Sequence, residues 1–141
     1  MKWIPGFLLA FCAASAWAQE ASDIDRLLAQ SEVSWGDACV WSFASHGEPY
    51  NERDAVFYAI SFKALPANAP FDANANLAGL ALILMRVYQL KGGIFYSIFK
   101  NRRYAFREMI YIGVFDEDDD PSDSFSGEKF LQILSRMSAI K

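Results

Sequence analysis

Residues that build metal, nucleophile and disulfide sites are scarce in this sequence. Among its 141 residues there are two cysteines and a single histidine, His46. A zinc site normally takes several such ligands, and no glycine-rich phosphate loop or serine nucleophile motif occurs. We therefore expect a protein that is not an enzyme and that holds no metal or cofactor. A hydrolase using two carboxylates, such as Glu108 and Glu128, is an alternative that no motif favours.

The chain also lacks an apolar run long enough to cross a bilayer, which takes about 20 residues. Its N-terminal apolar segment, residues 7–14, follows Lys2 and leads into Ala16-Trp17-Ala18. A basic residue, a short apolar stretch and small residues at this spacing are typical of a secretory signal. We predict a signal peptide at residues 1–18, one domain at residues 19–141, and export to the periplasm or cell envelope of a bacterium.

Two other interpretations of the N-terminal segment stay open. Cys12 could carry the lipid of a lipoprotein, but Phe11 stands where such signals have a small residue. Alternatively, the segment could remain uncleaved as a membrane anchor. In both cases the same domain would lie outside the cytoplasm, close to a membrane surface.

Positive charge and disulfide potential are both limited in the predicted mature chain. Without Lys2, twelve basic residues face seventeen acidic ones, a net charge of −5. Such a chain is a poor candidate for non-specific nucleic-acid binding. Only Cys39 is left as a cysteine, so an apolar core rather than an internal disulfide must stabilise the domain. We expect a buried thiol, with an intermolecular disulfide or a reactive thiol as alternatives.

The sequence predicts an all-α fold, because polar capping residues repeatedly precede apolar residues at helical spacing. The helix from Leu77 to Leu90 is apolar nearly all round and should be central. The predicted N-caps are Ser34, Asn51, Asn74 or Asn76, Asn101 and Ser126. The first predicted helix is short and begins near residue 22 or 23. The other predicted helices cover residues 35–44, about 52–65 after the Asn51 cap, 77–90, 94–100, 102 to about 115, and a stretch after 126.

A shift of fifty residues aligns the middle of the chain with its C-terminal part without a gap. Each part is predicted to be a helix, a loop and a capped helix, and residues 34–44 resemble the second helix of an earlier, partial unit. We predict a single compact domain of about two and a half such helix–loop–helix repeats. Matching pairs are Asn51 and Asn101, Arg53 and Arg103, Ala55 and Ala105, Asn76 and Ser126, Leu84 and Leu134, and Arg86 and Arg136.

This layout resembles the S-layer homology module, from roughly Val33 to Met137. Tyr104-Ala105 fits the aromatic-Ala start of that family's first helix, and Gly113-Val114-Phe115 fits its end. Ser126-Gly127-Glu128-Lys129-Phe130 and Ser34-Trp35-Gly36-Asp37-Ala38 loosely fit the Thr-Arg-Ala-Glu-like start of its second helix. The resemblance implies a compact, pseudo-threefold helical domain.

The sequence departs from the family at the arginine that helps to hold acidic cell-wall glycan. The matching positions carry Trp35, Leu77 and Gly127, none of which is cationic. The resemblance therefore implies a fold more than it implies glycan binding, since a fold does not bring a function without its site.

Cations and aromatic residues coincide around the predicted helix start at Arg102. Arg103 and Arg107 are four residues apart and share a helix face, next to a helix N-terminus that favours anions. The group fits an anionic headgroup, a phosphate or a glycan, whereas the simpler interpretation pairs Arg107 with a carboxylate. The predicted ligand-binding residues are Lys100, Arg102, Arg103, Tyr104 and Arg107, together with Trp35 as an exposed platform for a sugar ring.

Two further groups of residues give weaker indications. The acidic run Asp116 to Asp120 could supply oxygen ligands to calcium, but it lacks the spacing of an EF-hand loop, and a solvated loop is the simpler interpretation. A nucleophile pair of Cys39 and His46 is conceivable, although nothing in the sequence brings the two together.

From these features we expect an exported module that contacts an envelope protein or an envelope glycan. The alternative is a carrier of a small ligand or lipid. In that case Leu77–Leu90 and the segment Ile94 to Phe99 would line an apolar cavity.

Overall fold

Helices form the regular secondary structure of the residues that the structure, a computed structural model, describes: 20–47 and 51–140. The all-α prediction is confirmed for these residues. The predicted signal peptide and Cys12 lie outside them. The helices are α1, residues 20–28; α2, Trp35–Ser45; α3, Glu52–Ser61; α4, Leu77–Val87; α5, Ile94–Phe99; α6, Arg102–Tyr111; and α7, Gly127–Ser138.

Polar side chains cap five of these helices at the positions that the sequence indicates. Each cap accepts a hydrogen bond from the backbone N–H three residues later, at 2.8–3.2 Å. This bond satisfies an amide that has no partner within the helix. Of the two candidates before α4, Asn76 is the cap, while the Asn74 side chain donates to Glu32 instead. The caps are Ser34, Asn51, Asn76, Asn101 and Ser126.

Three helices end earlier than their apolar spacing predicts, because a left-handed residue follows each of them. The left-handed residues are Lys63, Gln89 and Gly113, with φ of 64°, 52° and 82°. The next amide then donates to the carbonyl five residues back, which closes a Schellman turn. These bonds are Ala64 N to Ala59 O at 3.1 Å, Leu90 N to Met85 O at 3.0 Å, and Val114 N to Met109 O at 2.9 Å. The turns after α3 and α6 direct Leu65 and Phe115 into the core.

The N-terminal ends of α2, α4 and α7 are bonded to one another in a closed cycle. The first amide of each helix donates to a carbonyl in the segment that precedes the next one. The bonds are Trp35 N to Ala73 O at 2.9 Å, Leu77 N to Asp123 O at 3.0 Å, and Gly127 N to Gln30 O at 3.0 Å. This cycle holds the three capped helix starts together around a common centre.

The core is built around α4, as its composition predicts. Nine of its eleven residues are buried, and the helix packs against α2 and α6. Its C-terminal end, at Val87, leads into the connection that carries α5. α5 follows this buried helix in the chain and packs against α6.

Candidate functional site

The short helix α5 presents an apolar surface to solvent. It is bounded by Gly93 and by Lys100, which is left-handed with φ of 43°. Of its six residues only Tyr96 is buried, at 2% exposure. Four large apolar side chains are 56–77% exposed, and we call them the α5 face: Ile94, Phe95, Ile98 and Phe99. A contiguous apolar patch of this kind on a folded domain marks an interaction site.

The Tyr104 ring packs against the two phenylalanines of the α5 face. Its ring stacks with Phe95 at 5.5 Å and 13°, and with Phe99 at 5.4 Å and 20°. The Arg103 guanidinium lies 5.9 Å from the same ring, a cation–π contact. Tyr104, predicted as a ligand-binding residue, thus joins the apolar face to the cations of α6.

The predicted cations line different grooves on α5 and α6. Arg102, Arg103 and Arg107 line a groove of about 430 Å³ on α6, beside Phe106. Arg107 also borders a groove that α5 shares with Glu108 and Glu117. Lys100 lies in a separate recess of about 420 Å³ next to α5. Within residues 20–47 and 51–140, no carboxylate lies at ion-pair distance from any of these four side chains. The simpler prediction, which paired Arg107 with a carboxylate, is therefore not met in the described part of the chain.

The recess around Lys100 contains two cations that the sequence analysis did not assign to a site. They are Arg86, in the last turn of α4, and Lys91. The Arg86 guanidinium lies over the Phe62 ring at 5.5 Å, and its buried Nε has no hydrogen-bond partner among the described residues. Burial raises the pKa of the Tyr96 hydroxyl in the same recess, and the positive charge of Arg86 partly opposes that increase.

Positive charge is concentrated in one segment of the sequence, and this concentration could have predicted a cationic site there. Residues 77–115 contain six cations and one acid, Glu108, a net charge of +5. Because the whole chain carries −4, the remaining residues carry −9. The cations of the acidic protein are thus concentrated in the segment that holds α5.

The connection that contains α5, between α4 and α6, is longer than the connection between α2 and α3. Six residues separate α2 from α3, whereas fourteen separate α4 from α6. The two helices that lead into these connections, α2 and α4, have the same length of 11 residues. The additional eight residues therefore accommodate α5, and they carry the exposed apolar side chains.

The prediction of Trp35 as an exposed stacking platform is wrong. Its side chain is 3% exposed and packs against the first turn of α4, where a Cβ on Gly79 would lie 2.3 Å from Trp35 Cη2. The other two positions of the family's glycan-binding arginine are buried as well, at Leu77 and Gly127. At Gly127 a Cβ would lie 1.7 Å from the Leu27 carbonyl oxygen. No long cation fits there without moving α1.

The structure does not bring Cys39 and His46 together as a nucleophile pair. Cys39 is fully buried in α2, and desolvation raises the pKa of its thiol to about 12. His46 is exposed and its ring contacts Tyr88, with the centroids 4.6 Å apart. The two carboxylates of the hydrolase alternative are also separated, since Glu108 and Glu128 line different grooves.

The acidic loop is held by protein partners. Asp119 pairs with Lys129 of α7 and accepts the backbone N–H of Asp116. Asp116 also pairs with Arg136, whose Nη1 lies 3.1 Å away. In the part of the chain that the structure describes, no three His, Cys, Asp or Glu side chains are grouped so that they could hold a metal ion.

Comparisons with known proteins give no relative for this chain: no family model, no curated protein and no solved structure matches it. Among the described helices, none combines the length and the apolarity needed to span a membrane. The functional interpretation therefore depends on the geometry around α5.

Proposed function

We propose that this chain is a non-enzymatic binding module of the bacterial cell envelope. The module contacts an envelope component through the α5 face and the cations of the neighbouring grooves. The observation that carries the proposal is the exposure of four large apolar side chains beside cations that have no carboxylate at ion-pair distance among residues 20–47 and 51–140. The assignment to the envelope rests on the predicted signal peptide at residues 1–18.

We also propose that the domain is built of units similar to S-layer homology modules. The matching caps Asn51 and Asn101, the matching turns at Lys63 and Gly113, and the cycle of three helix starts support this. In this interpretation α5 is an insertion between units. Function is then carried by the insertion, because the family's arginine positions are buried.

The recess that α4 and α5 share does not favour the carrier alternative, because Arg86, Lys91 and Lys100 line it. A carrier would need α4 and α5 to line an apolar cavity. Instead, α4 is buried in the core, and the four apolar side chains of α5 face solvent.

Sedimentation with isolated bacterial cell envelopes tests the proposed contact surface. We expect the double variant Phe95→Ser, Phe99→Ser to bind at least about tenfold more weakly than the parent chain, because two large apolar contacts are lost. The matched control is Phe57→Ser on α3, whose side chain is 73% exposed but lies outside the α5 face. This control should bind like the parent chain.

Treating the envelopes beforehand with a protease, a cell-wall hydrolase or a lipid-extracting solvent identifies the class of partner. Equal binding by the double variant and the parent chain would contradict the proposal. So would failure of the parent chain to bind untreated envelopes.

A further inference from the structure

We infer that the partner of the α5 face is an anionic lipid surface. In this inference, which rests on the proposed function, α5 lies in the interface with its apolar side chains among the acyl chains. The cations of the neighbouring grooves then contact lipid phosphates. A carbohydrate polymer or an acidic protein would use the cations but would leave most of the exposed aliphatic surface unexplained.

The apolar part of the surface suits an interface between water and hydrocarbon. The α5 face combines two phenylalanines with two isoleucines, and Ile94 and Ile98 are the most exposed of the four. Burying them in acyl chains removes that apolar area from water. The rings of Phe95 and Phe99 are already fixed against Tyr104, so little conformational entropy is lost on insertion.

The distribution of charge favours a negatively charged surface. The segment 77–115 carries +5, and the rest of the chain carries −9. An anionic bilayer attracts each nearby Lys or Arg and repels the acidic remainder. The two effects together orient the molecule with α5 toward the lipid.

The recess beside α5 suits the phosphate of a lipid headgroup. Arg86, Lys91 and Lys100 line it together with Tyr96, whereas the Ser97 hydroxyl already donates to the Gly93 carbonyl at 2.8 Å. The buried Arg86 Nε lacks a hydrogen-bond partner among the described residues, and leaving a buried donor unsatisfied is costly. A phosphate oxygen entering the recess would supply an acceptor in charge-assisted bonds.

Vesicle flotation with the full chain tests the inference. The probes are vesicles of phosphatidylcholine alone and vesicles of phosphatidylcholine mixed in equal parts with phosphatidylglycerol. We expect binding to the anionic vesicles, weakened by salt, and binding to the neutral vesicles that is at least about thirtyfold lower. Every variant carries the same N-terminus, so residues 1–18 contribute equally to all measurements.

Two comparisons of variants test the cations and the apolar side chains of the surface separately. Arg103→Glu with Arg107→Glu should lower binding to anionic vesicles by about thirtyfold or more, whereas Arg53→Glu, at the matching position on α3, should change it less than threefold. Ile98→Ser should lower binding about fivefold to tenfold, whereas Phe57→Ser should leave it unchanged. Circular dichroism confirms that each variant is folded.

Equal binding to neutral and anionic vesicles would overturn the inference, as would equal losses in the α5 variants and their α3 controls. The proposed function would survive that result if the α5 variants still reduced binding to intact envelopes. A partner removed by protease or by cell-wall hydrolase would then replace the lipid.

Discussion

At the scale of single residues, Cys39 shows how burial decides chemistry in this protein. The thiol lies in α2 with no solvent exposure. Desolvation is the main reason why its pKa rises to about 12, and the negative charge of Glu52 adds to the effect. Because the thiolate is the reactive form, Cys39 is expected to be inert in the folded protein.

Alkylation tests this expectation. At neutral pH, iodoacetamide should leave Cys39 unmodified in the native protein and label it fully in denaturant, with peptide mapping to distinguish it from Cys12. Rapid modification of Cys39 under native conditions would mean that α2 opens locally or that the thiol is accessible.

Trp35 and Arg86 are two residues whose surroundings the sequence alone does not predict. Trp35 follows a helix cap, and its burial depends on Gly79 of α4, more than forty residues away in the chain. Arg86 appears in the sequence only as a cation within an apolar helix, and its site depends on the connection that folds back over it. Both depend on contacts between elements, which spacing along the chain does not contain.

At the scale of elements, the starts of the five capped helices were predictable, whereas the ends of α3, α4 and α6 were not. A cap such as Asn101 acts on an amide three residues away, so the sequence contains the whole signal. Both Lys63 and the matching Gly113 follow a helix end in a left-handed conformation. A glycine predicts such a conformation, whereas a lysine does not. The apolar residues beyond these points, Leu65 and Phe115, are in the core without being helical.

Exchanging the residues at the two turns tests this account of the helix ends. Lys63→Gly should raise the free energy of unfolding by about 0.5–1 kcal/mol, because it removes the cost of a left-handed side-chain residue. Gly113→Lys should lower it by about 1 kcal/mol, since no atom lies within 4 Å of a Cβ placed there and only the backbone cost applies. Chemical denaturation measures both, and destabilisation by Lys63→Gly would contradict the assigned conformation.

At the scale of the whole molecule, the helical core of the described residues carries the exposed α5 face. A cycle of backbone hydrogen bonds joins the starts of α2, α4 and α7. The connection between α4 and α6 is eight residues longer than the one between α2 and α3, and it contains α5. Positive charge is concentrated there, with +5 over residues 77–115. In the proposed binding mode, this arrangement would orient α5 toward an anionic lipid surface.

The candidate site was predictable in part. Lys100, Arg102, Arg103, Tyr104 and Arg107 were identified because cations and aromatic residues are close in sequence. The structure places Lys100 and Tyr104 against α5 and the three arginines in grooves on α6. The sequence did not show that α5 would turn its apolar side chains outward. An apolar helix at this position suits the core equally well by composition, and only the packing of Tyr96 and Tyr104 distinguishes the two outcomes.

Hydrogen–deuterium exchange with and without anionic vesicles tests the central claim most directly. Binding through α5 should slow amide exchange in residues 91–107 and leave residues 51–62, which contain α3, unchanged. Protection of the α3 segment instead, or no added protection around α5 when the protein is vesicle-bound, would contradict the account.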